Sequence, residues 1–330
     1  MTEIPHNGRI LEGRYQLVRQ LKKGGMGDVY TAKDRFTRDF VIVKKTRAEE
    51  ARLLSRLKHP GIVKYLDSFS CLEDISGGKQ PGTDIWLVEE YVPGETLSAY
   101  VKRNGPFDEA AVIEIGIKLC EILIFLHGRK PPVIYRDLKP DNIMLQPDGS
   151  IKLIDFGIAR EYVKWEDRDT NFFGTKGYAA PEQYGGCMSQ SDARSDIYGL
   201  GMVMYYLLTG DEPEDHIFSS ENALDRNTLR NAVSPDFQRL LLKCTEEEAL
   251  KRFQSAEVLA YELKNIKKQI IFAGPHVAQK SSRDKREERM PETKYKNKQG
   301  LKSVLLVILT ISACSTGILL EFILLYWLLT

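Results

Sequence analysis

No two of the five cysteines lie as close together as a zinc site or a dithiol motif requires; Cys71, Cys120, Cys187, Cys244 and Cys314 are scattered along the chain. That excludes a zinc-knuckle or disulfide-scaffold protein and implies reduced thiols in a cytosolic domain. Charge of one sign is missing too, since 47 Lys and Arg face 46 Asp and Glu. Without a net field, nucleic acid is not expected as a partner. The first residues, Met1-Thr-Glu-Ile-Pro-His6, hold no basic stretch running into an apolar one. No secretory leader is therefore expected, and the N-terminus should stay in the cytosol. No internal repeat is present, which argues against a solenoid. Apolar content is not scarce: 42% of 330 residues is ample for a buried core and excludes a disordered chain.

Residues 15–92 favour strands. Tyr15-Gln-Leu-Val-Arg-Gln-Leu21 alternates, and Phe40-Val-Ile-Val43 and Ile85-Trp-Leu-Val88 are β-rich runs. One helix is expected among them, opened by Thr46 with Glu49 completing a capping box, and with Leu53, Leu54 and Leu57 as its apolar face. Beyond Pro93 and Gly94 the pattern turns helical, at 108–127, 195–208 and 258–270, with short strands near 143–145 and 151–154. Residues 273–302 mix Gly, Pro and dense charge of both signs, the composition of a linker.

The densest chemical signal is Tyr135-Arg-Asp-Leu-Lys-Pro-Asp-Asn142, followed thirteen positions later by Asp155-Phe-Gly157. Here the chain resembles the eukaryotic-like protein Ser/Thr kinases, whose catalytic loop reads H-R-D-L-x-x-x-N and whose metal loop reads D-F-G. The resemblance spans about residues 15–270 and looks closest to membrane-anchored members from Gram-positive bacteria. It implies an α+β, bilobal protein kinase fold: a small β-rich lobe at 15–92 after an extension at 1–14, and a larger helical lobe at 93–270. It also implies ATP and Mg²⁺, or Mn²⁺, as cofactors and proteins bearing Ser or Thr as substrates. Phosphoryl transfer leaves little covalent work for the protein, so the residues must position groups and neutralise charge. Asp137 resembles the carboxylate that orients the acceptor hydroxyl and takes its proton, and Lys139 the cation beside the moving phosphoryl group. Asn142 and Asp155 match the metal ligands, both hard oxygen donors.

Leu21-Lys-Lys-Gly-Gly-Met-Gly-Asp-Val-Tyr30 resembles the Gly-rich loop over the nucleotide phosphates, with Gly24 and Gly27 at its second and third glycines and Gly25 and Val29 beside them. Lys22 replaces the first glycine, and either stiffens the loop or adds a charge near ATP. Val41-Ile-Val-Lys44 makes Lys44 the expected phosphate contact, with Lys45 the alternative, and Glu50 is favoured over Glu49 as its partner. Lys44 and Glu50 are six positions apart, much closer than this family usually places them. A helix tied so closely to its strand has little slack to swing outward. The same shortening suits a damaged lobe, so a catalytically weak pseudokinase scaffold is the alternative function; a small-molecule kinase on a related fold fits less well. Trp86-Leu-Val-Glu-Glu-Tyr-Val92 resembles the adenine hinge, with backbone contacts expected from Glu90 and Val92. Glu89 then falls at the gatekeeper position, where an unpaired charge is costly, so it either pairs with a basic group or the register is one residue off.

Gly174-Thr175 and Ala180-Pro-Glu182 resemble the end of an activation segment, which Asp196 and Arg252 would anchor. Arg136 beside Asp137 resembles kinases whose segment is ordered by phosphate, which makes Thr170 an expected acceptor and, with Thr175, a regulatory residue.

Residues 303–320 carry no charge and the apolar character resumes at 322–330, long enough for a helix to cross a bilayer core of about 30 Å. A single transmembrane helix at 303–329 is expected, after a juxtamembrane linker at 271–302. Nine basic against four acidic residues between Lys280 and Lys302 place that side in the cytosol. The expectation is a single-pass membrane protein with a cytosolic kinase domain and no extracellular sensor module. Two small-xxx-small pairs, Ala313 with Gly317 and Ser312 with Thr316, would favour a homodimer.

Overall fold

The computed structural model describes residues 8–22, 28–70, 84–162, 174–184, 190–213 and 233–273. The strand-favouring part forms one antiparallel sheet from β1 (Ile10–Leu11), β2 (Tyr15–Lys22), β3 (Val29–Asp34), β4 (Phe40–Arg47), β5 (Tyr65–Ser70) and β6 (Asp84–Glu90), in the order β1-β2-β3-β4-β6-β5. β1 adds residues ahead of Tyr15 to this sheet, pairing Leu11 with Tyr15. Side chains alternate between faces. Val41 and Val43 of β4 therefore join Leu17, Tyr30, Ala32, Trp86 and Val88 in one apolar cluster. Leu87 points the other way, into the main core with Leu53 and Leu54. Lys44 lies directly opposite Leu87 in the register.

α1 (Ala48–Ser55) follows β4 with no residue between them. Here the expected start needs correcting. Thr46 is still in the strand, and the N-cap is Arg47, which makes no side-chain cap hydrogen bond. The Thr46 hydroxyl instead donates to Glu50 Oε2, so the capping box with Glu49 does not form. An eight-residue helix is too short to persist alone. It is held by burial of Ala51, Leu53 and Leu54, each buried Leu contributing about 1.5–3 kcal/mol.

The helical part contains α2 (Leu97–Asn104), α3 (Glu109–His127), α4 (Ala193–Thr209), α5 (Pro235–Cys244) and α6 (Ala256–Ala273). The starts of α3, α4 and α5 follow from their caps. Asp108 accepts from Ala111 N at 2.8 Å, Asp192 from Arg194 N at 2.8 Å, and Ser234 from Phe237 N at 3.3 Å. α3 packs against both α4 and α6. Gly116 permits this approach, because a Cβ there would stand 2.9 Å from Met204 Sδ and 3.2 Å from Leu263 Cδ1. Short strands β7 (Glu95–Thr96), β9 (Ile143–Leu145) and β10 (Ile151–Leu153) make a three-stranded sheet, and β8 (Val133–Ile134) pairs with β11 (Arg160–Glu161).

The two parts are joined by backbone. Val63 N donates to Leu153 O at 2.9 Å and Leu153 N to Gly61 O at 2.8 Å, so the segment after α1 lies along β10, two residues before Asp155. Among the described residues, no helix is long and apolar enough to cross a membrane. The expected span at 303–329 lies outside them, as does the linker beyond Ala273.

Candidate active site

Three elements converge on Lys44. Its Nζ lies 2.5 Å from Glu50 Oε1 on α1, 3.2 Å from Glu89 Oε1 on β6 and 3.5 Å from Asp155 Oδ1 after β10. Glu50 is buried whereas Glu49 is exposed. Glu50 Oε1 also accepts from Phe156 N at 3.1 Å, so α1 is fastened at once to β4 and to the metal-loop segment. Burial works against the Lys44 charge, but Glu89, Glu50 and Asp155 outweigh it and hold the ammonium well above the usual lysine range. Burial, opposed by Lys44 and reinforced by Glu50, pushes Glu89 up to about 7. Asp155 behaves oppositely: its burial is outweighed by Lys44, the Gly157 N–H, Lys139 and Lys22, which keep its carboxyl below the usual value.

Asp137 is the second centre. Its Oδ2 accepts from Lys139 Nζ and from Asn142 Nδ2, each at 2.8 Å, and its Oδ1 accepts from the Thr175 hydroxyl at 2.8 Å. Lys139 Nζ also donates to Thr175 Oγ1 at 2.7 Å. The Asn142 amide nitrogen donates a second time, to Asp137 O at 3.0 Å, which fixes the amide and leaves Oδ1 as the group free to meet a ligand. Asn142 O accepts from Ile154 N at 2.9 Å, tying it to the residue before Asp155. Thr175, expected among regulatory residues, is thus in contact with Asp137 and Lys139.

The loop carrying Asp137 is held under strain. Arg136 and Asp155 have φ of 70° and 65°, conformations that L-residues adopt at a cost of order 1–3 kcal/mol. Asp196 supplies the restraint for the first: its buried carboxylate accepts from Arg136 N at 2.7 Å and Tyr135 N at 2.9 Å, with His127 Nε2 at 2.8 Å. Gln183 Nε2 donates to Arg136 O at 2.8 Å. Behind it, Arg252 makes a two-pronged pair with Glu182 at 2.7 and 2.8 Å, and Ser195 Oγ donates to the same carboxylate at 2.7 Å. Tyr135 packs edge-on to Phe156, centroids 5.1 Å apart, and its hydroxyl donates to Ile154 O at 2.5 Å.

On the nucleotide side, the register aligns Lys22, Val29 and Lys44 across three strands. Gly24, Gly25 and Gly27, between β2 and β3 in the sequence, lie outside the described residues, as does Thr170. Glu90 N donates to Lys64 O at 3.0 Å, so its N–H is already engaged and is not open to the expected base contact. The Glu90 side chain accepts from Lys64 N at 2.9 Å and pairs with Lys152. Val92 is buried beside it.

Residues 15–264 match the protein kinase domain. The chain belongs to the protein kinase family. It is 32% identical over 285 residues to a probable serine/threonine-protein kinase of Clostridium perfringens, covering 79% of this chain and 39% of that protein. It is 34% identical over 289 residues to the serine/threonine-protein kinase PknB of Mycobacterium leprae, covering 80% and 44%. To PknB of Mycobacterium tuberculosis it is 33% identical over 280 residues, covering 77% and 43%. The chain spans about two fifths of the length of these relatives.

The kinase fold explains why distant residues meet, and it shows what the motifs alone did not. Thr46 and the Phe156 N–H both hold Glu50, yet nothing in their spacing announces it. The sequence singles out both Lys139 and Thr175, but as a catalytic cation and a regulatory residue and not as partners. Among the described residues, no cluster of three His, Cys, Asp or Glu could hold a metal by itself. Asn142 and Asp155 nevertheless suit Mg²⁺, which is ordinarily bound by one or two protein oxygens with phosphate and water completing the shell. The carboxylates around Lys44 outnumber its single charge, which also favours an added cation.

Proposed function

We propose that this chain transfers the γ-phosphate of ATP to Ser and Thr hydroxyls of proteins, itself included, and is tethered to a membrane by residues 303–329. When bound, ATP and Mg²⁺ supply the phosphoryl group and neutralise its charge. Asn142 Oδ1 and the Asp155 carboxylate would hold the metal, and Lys44, steadied by Glu50, would hold the phosphates. Asp137 then orients the acceptor hydroxyl and receives its proton, while Lys139 counters charge on the moving phosphoryl group.

One observation carries the chemical part of this proposal. A hydroxyl, that of Thr175, already donates to Asp137 Oδ1 at 2.8 Å, and Lys139 Nζ lies 2.7 Å from that hydroxyl's own oxygen. That is the distance and company an acceptor hydroxyl needs for proton transfer. The relatives named as serine/threonine kinases support the substrate class. The test uses the purified full chain with Mg-ATP and a generic protein substrate, read for phosphoserine and phosphothreonine by mass spectrometry beside Asp137→Asn. Loss of about 10³-fold in the variant is expected, within the range for removing a positioned base. Equal phosphate on both would favour the pseudokinase scaffold instead.

A further inference from the structure

Among the described residues, Lys44 has two partners in the small lobe, and they differ in kind. Glu50 reaches it from α1, a helix that continues from β4 but lies outside the sheet. Glu89 reaches it from β6, the strand hydrogen-bonded to β4 itself. In that register Lys44 faces Leu87 and Glu89 lies two positions along on the same face, the diagonal neighbour within reach of a long side chain. The distance between Lys44 and Glu89 is therefore set by the sheet and not by where α1 stands.

Glu89 is buried, and its Oε1 accepts no hydrogen bond of good geometry among the described residues. Burying a carboxylate without a counter-charge is strongly unfavourable. The groups acting on Glu89 are Lys44, Glu50 and Asp155, so Lys44 is the cation among them. An acid in this place is tolerated because of Lys44, and in return it restrains Lys44.

We infer that Glu89 is a second positioning residue for Lys44, sharing the ammonium with Glu50 so that the lysine keeps a carboxylate partner when the helix contact is lost. The inference rests on the proposed phosphotransfer for its kinetic consequence but not for its structural one. It also gives the shortened Lys44–Glu50 connection a complement. A short junction holds α1 close, and an in-sheet acid holds the lysine independently of α1.

Two measurements on the full chain decide it. In kinetics, Glu89→Gln should lower kcat about threefold in the native background and at least about tenfold in a Glu50→Gln background, because neighbours sharing one partner are not additive. The added loss should fall on kcat and on the KM for ATP, leaving the KM for the protein substrate alone. Equal factors in both backgrounds would overturn the inference. In thermal melting at about pH 8, Lys44→Met should lower the midpoint by stranding a buried acid, and Glu89→Gln added to it should restore at least about half of that drop. A midpoint that is not restored would overturn it as well. If the native chain transfers no phosphate, the proposed function fails while the melting comparison still judges the Lys44–Glu89 contact.

Discussion

Thr175 shows how much a single hydroxyl can do in this site. It bridges Asp137 Oδ1 and Lys139 Nζ, so replacing it with valine keeps the volume and removes both hydrogen bonds. Thr175→Val should lower kcat by about tenfold, since a hydrogen bond to a charged group is worth about 1.5–3 kcal/mol, while leaving the KM for ATP within about twofold. Steady-state kinetics with ATP varied at fixed protein substrate checks this. Asp34 makes a stability case far from the chemistry. The Arg14 guanidinium, helped by the Phe36 and Thr37 N–H groups against the opposing effect of burial, holds its carboxyl down at about 2 from 3.8. A depressed carboxylate stabilises the fold fully above its unfolded value and loses that contribution as pH falls through the folded one. The native chain should therefore lose stability between about pH 4 and pH 2 at this site, and Asp34→Asn should be less stable at pH 7 with a shallower decline in that window. Chemical denaturation at stepped pH measures both, and parallel curves for the two proteins would contradict it.

At the scale of elements, α1 is the one whose behaviour the sequence made unusual. It begins directly at the end of the strand that carries Lys44, its Glu50 is held by Lys44, Thr46 and the Phe156 N–H, and its apolar face is buried. Swinging it outward would break all of these at once. Amide exchange over residues 46–57 should accordingly be slow and change less than about twofold when nucleotide is added, whereas Thr46→Val should speed it. Large, nucleotide-dependent opening of this segment would show that the short junction does not restrain the helix. The long elements were legible because their periodicity is strong. β2 alternates, β4 and β6 carry β-rich runs, and α3, α4 and α6 run apolar with caps or glycines at their ends. The two-residue strands β1, β7, β8 and β11 had no period to read. The start of α1 was misplaced because the Thr46 hydroxyl meets a side chain, Glu50, instead of a helix N–H. For Glu89, the sequence indicated a buried acid needing a cation, but which cation depends on the pairing of β4 with β6, a non-local fact.

For the whole molecule, the open matter is what holds the kinase domain where it acts, and the two parts of the tail predict different things. The nine basic residues between Lys280 and Lys302 exceed the four acidic ones by five. Near an anionic surface each basic residue contributes about 1 kcal/mol, an attraction that salt screens within a Debye length of about 8 Å or less. The uncharged run at 303–320 is insensitive to salt, since its preference for hydrocarbon comes from buried apolar surface, and a spanning helix is effectively irreversible in the membrane. If the span is the anchor, the full chain should stay in the membrane fraction through a wash at about 1 M salt, where the Debye length is about 3 Å. A chain ending at residue 302 should leave in that wash and yet phosphorylate a soluble peptide at the full chain's rate to within about twofold, because Lys44, Asp137 and Asp155 all precede the deleted segment. Retention of the shortened chain after the wash would assign the tether to some other part of the protein, and a collapse of its peptide activity would mean that the tail acts on the site as well as on its location.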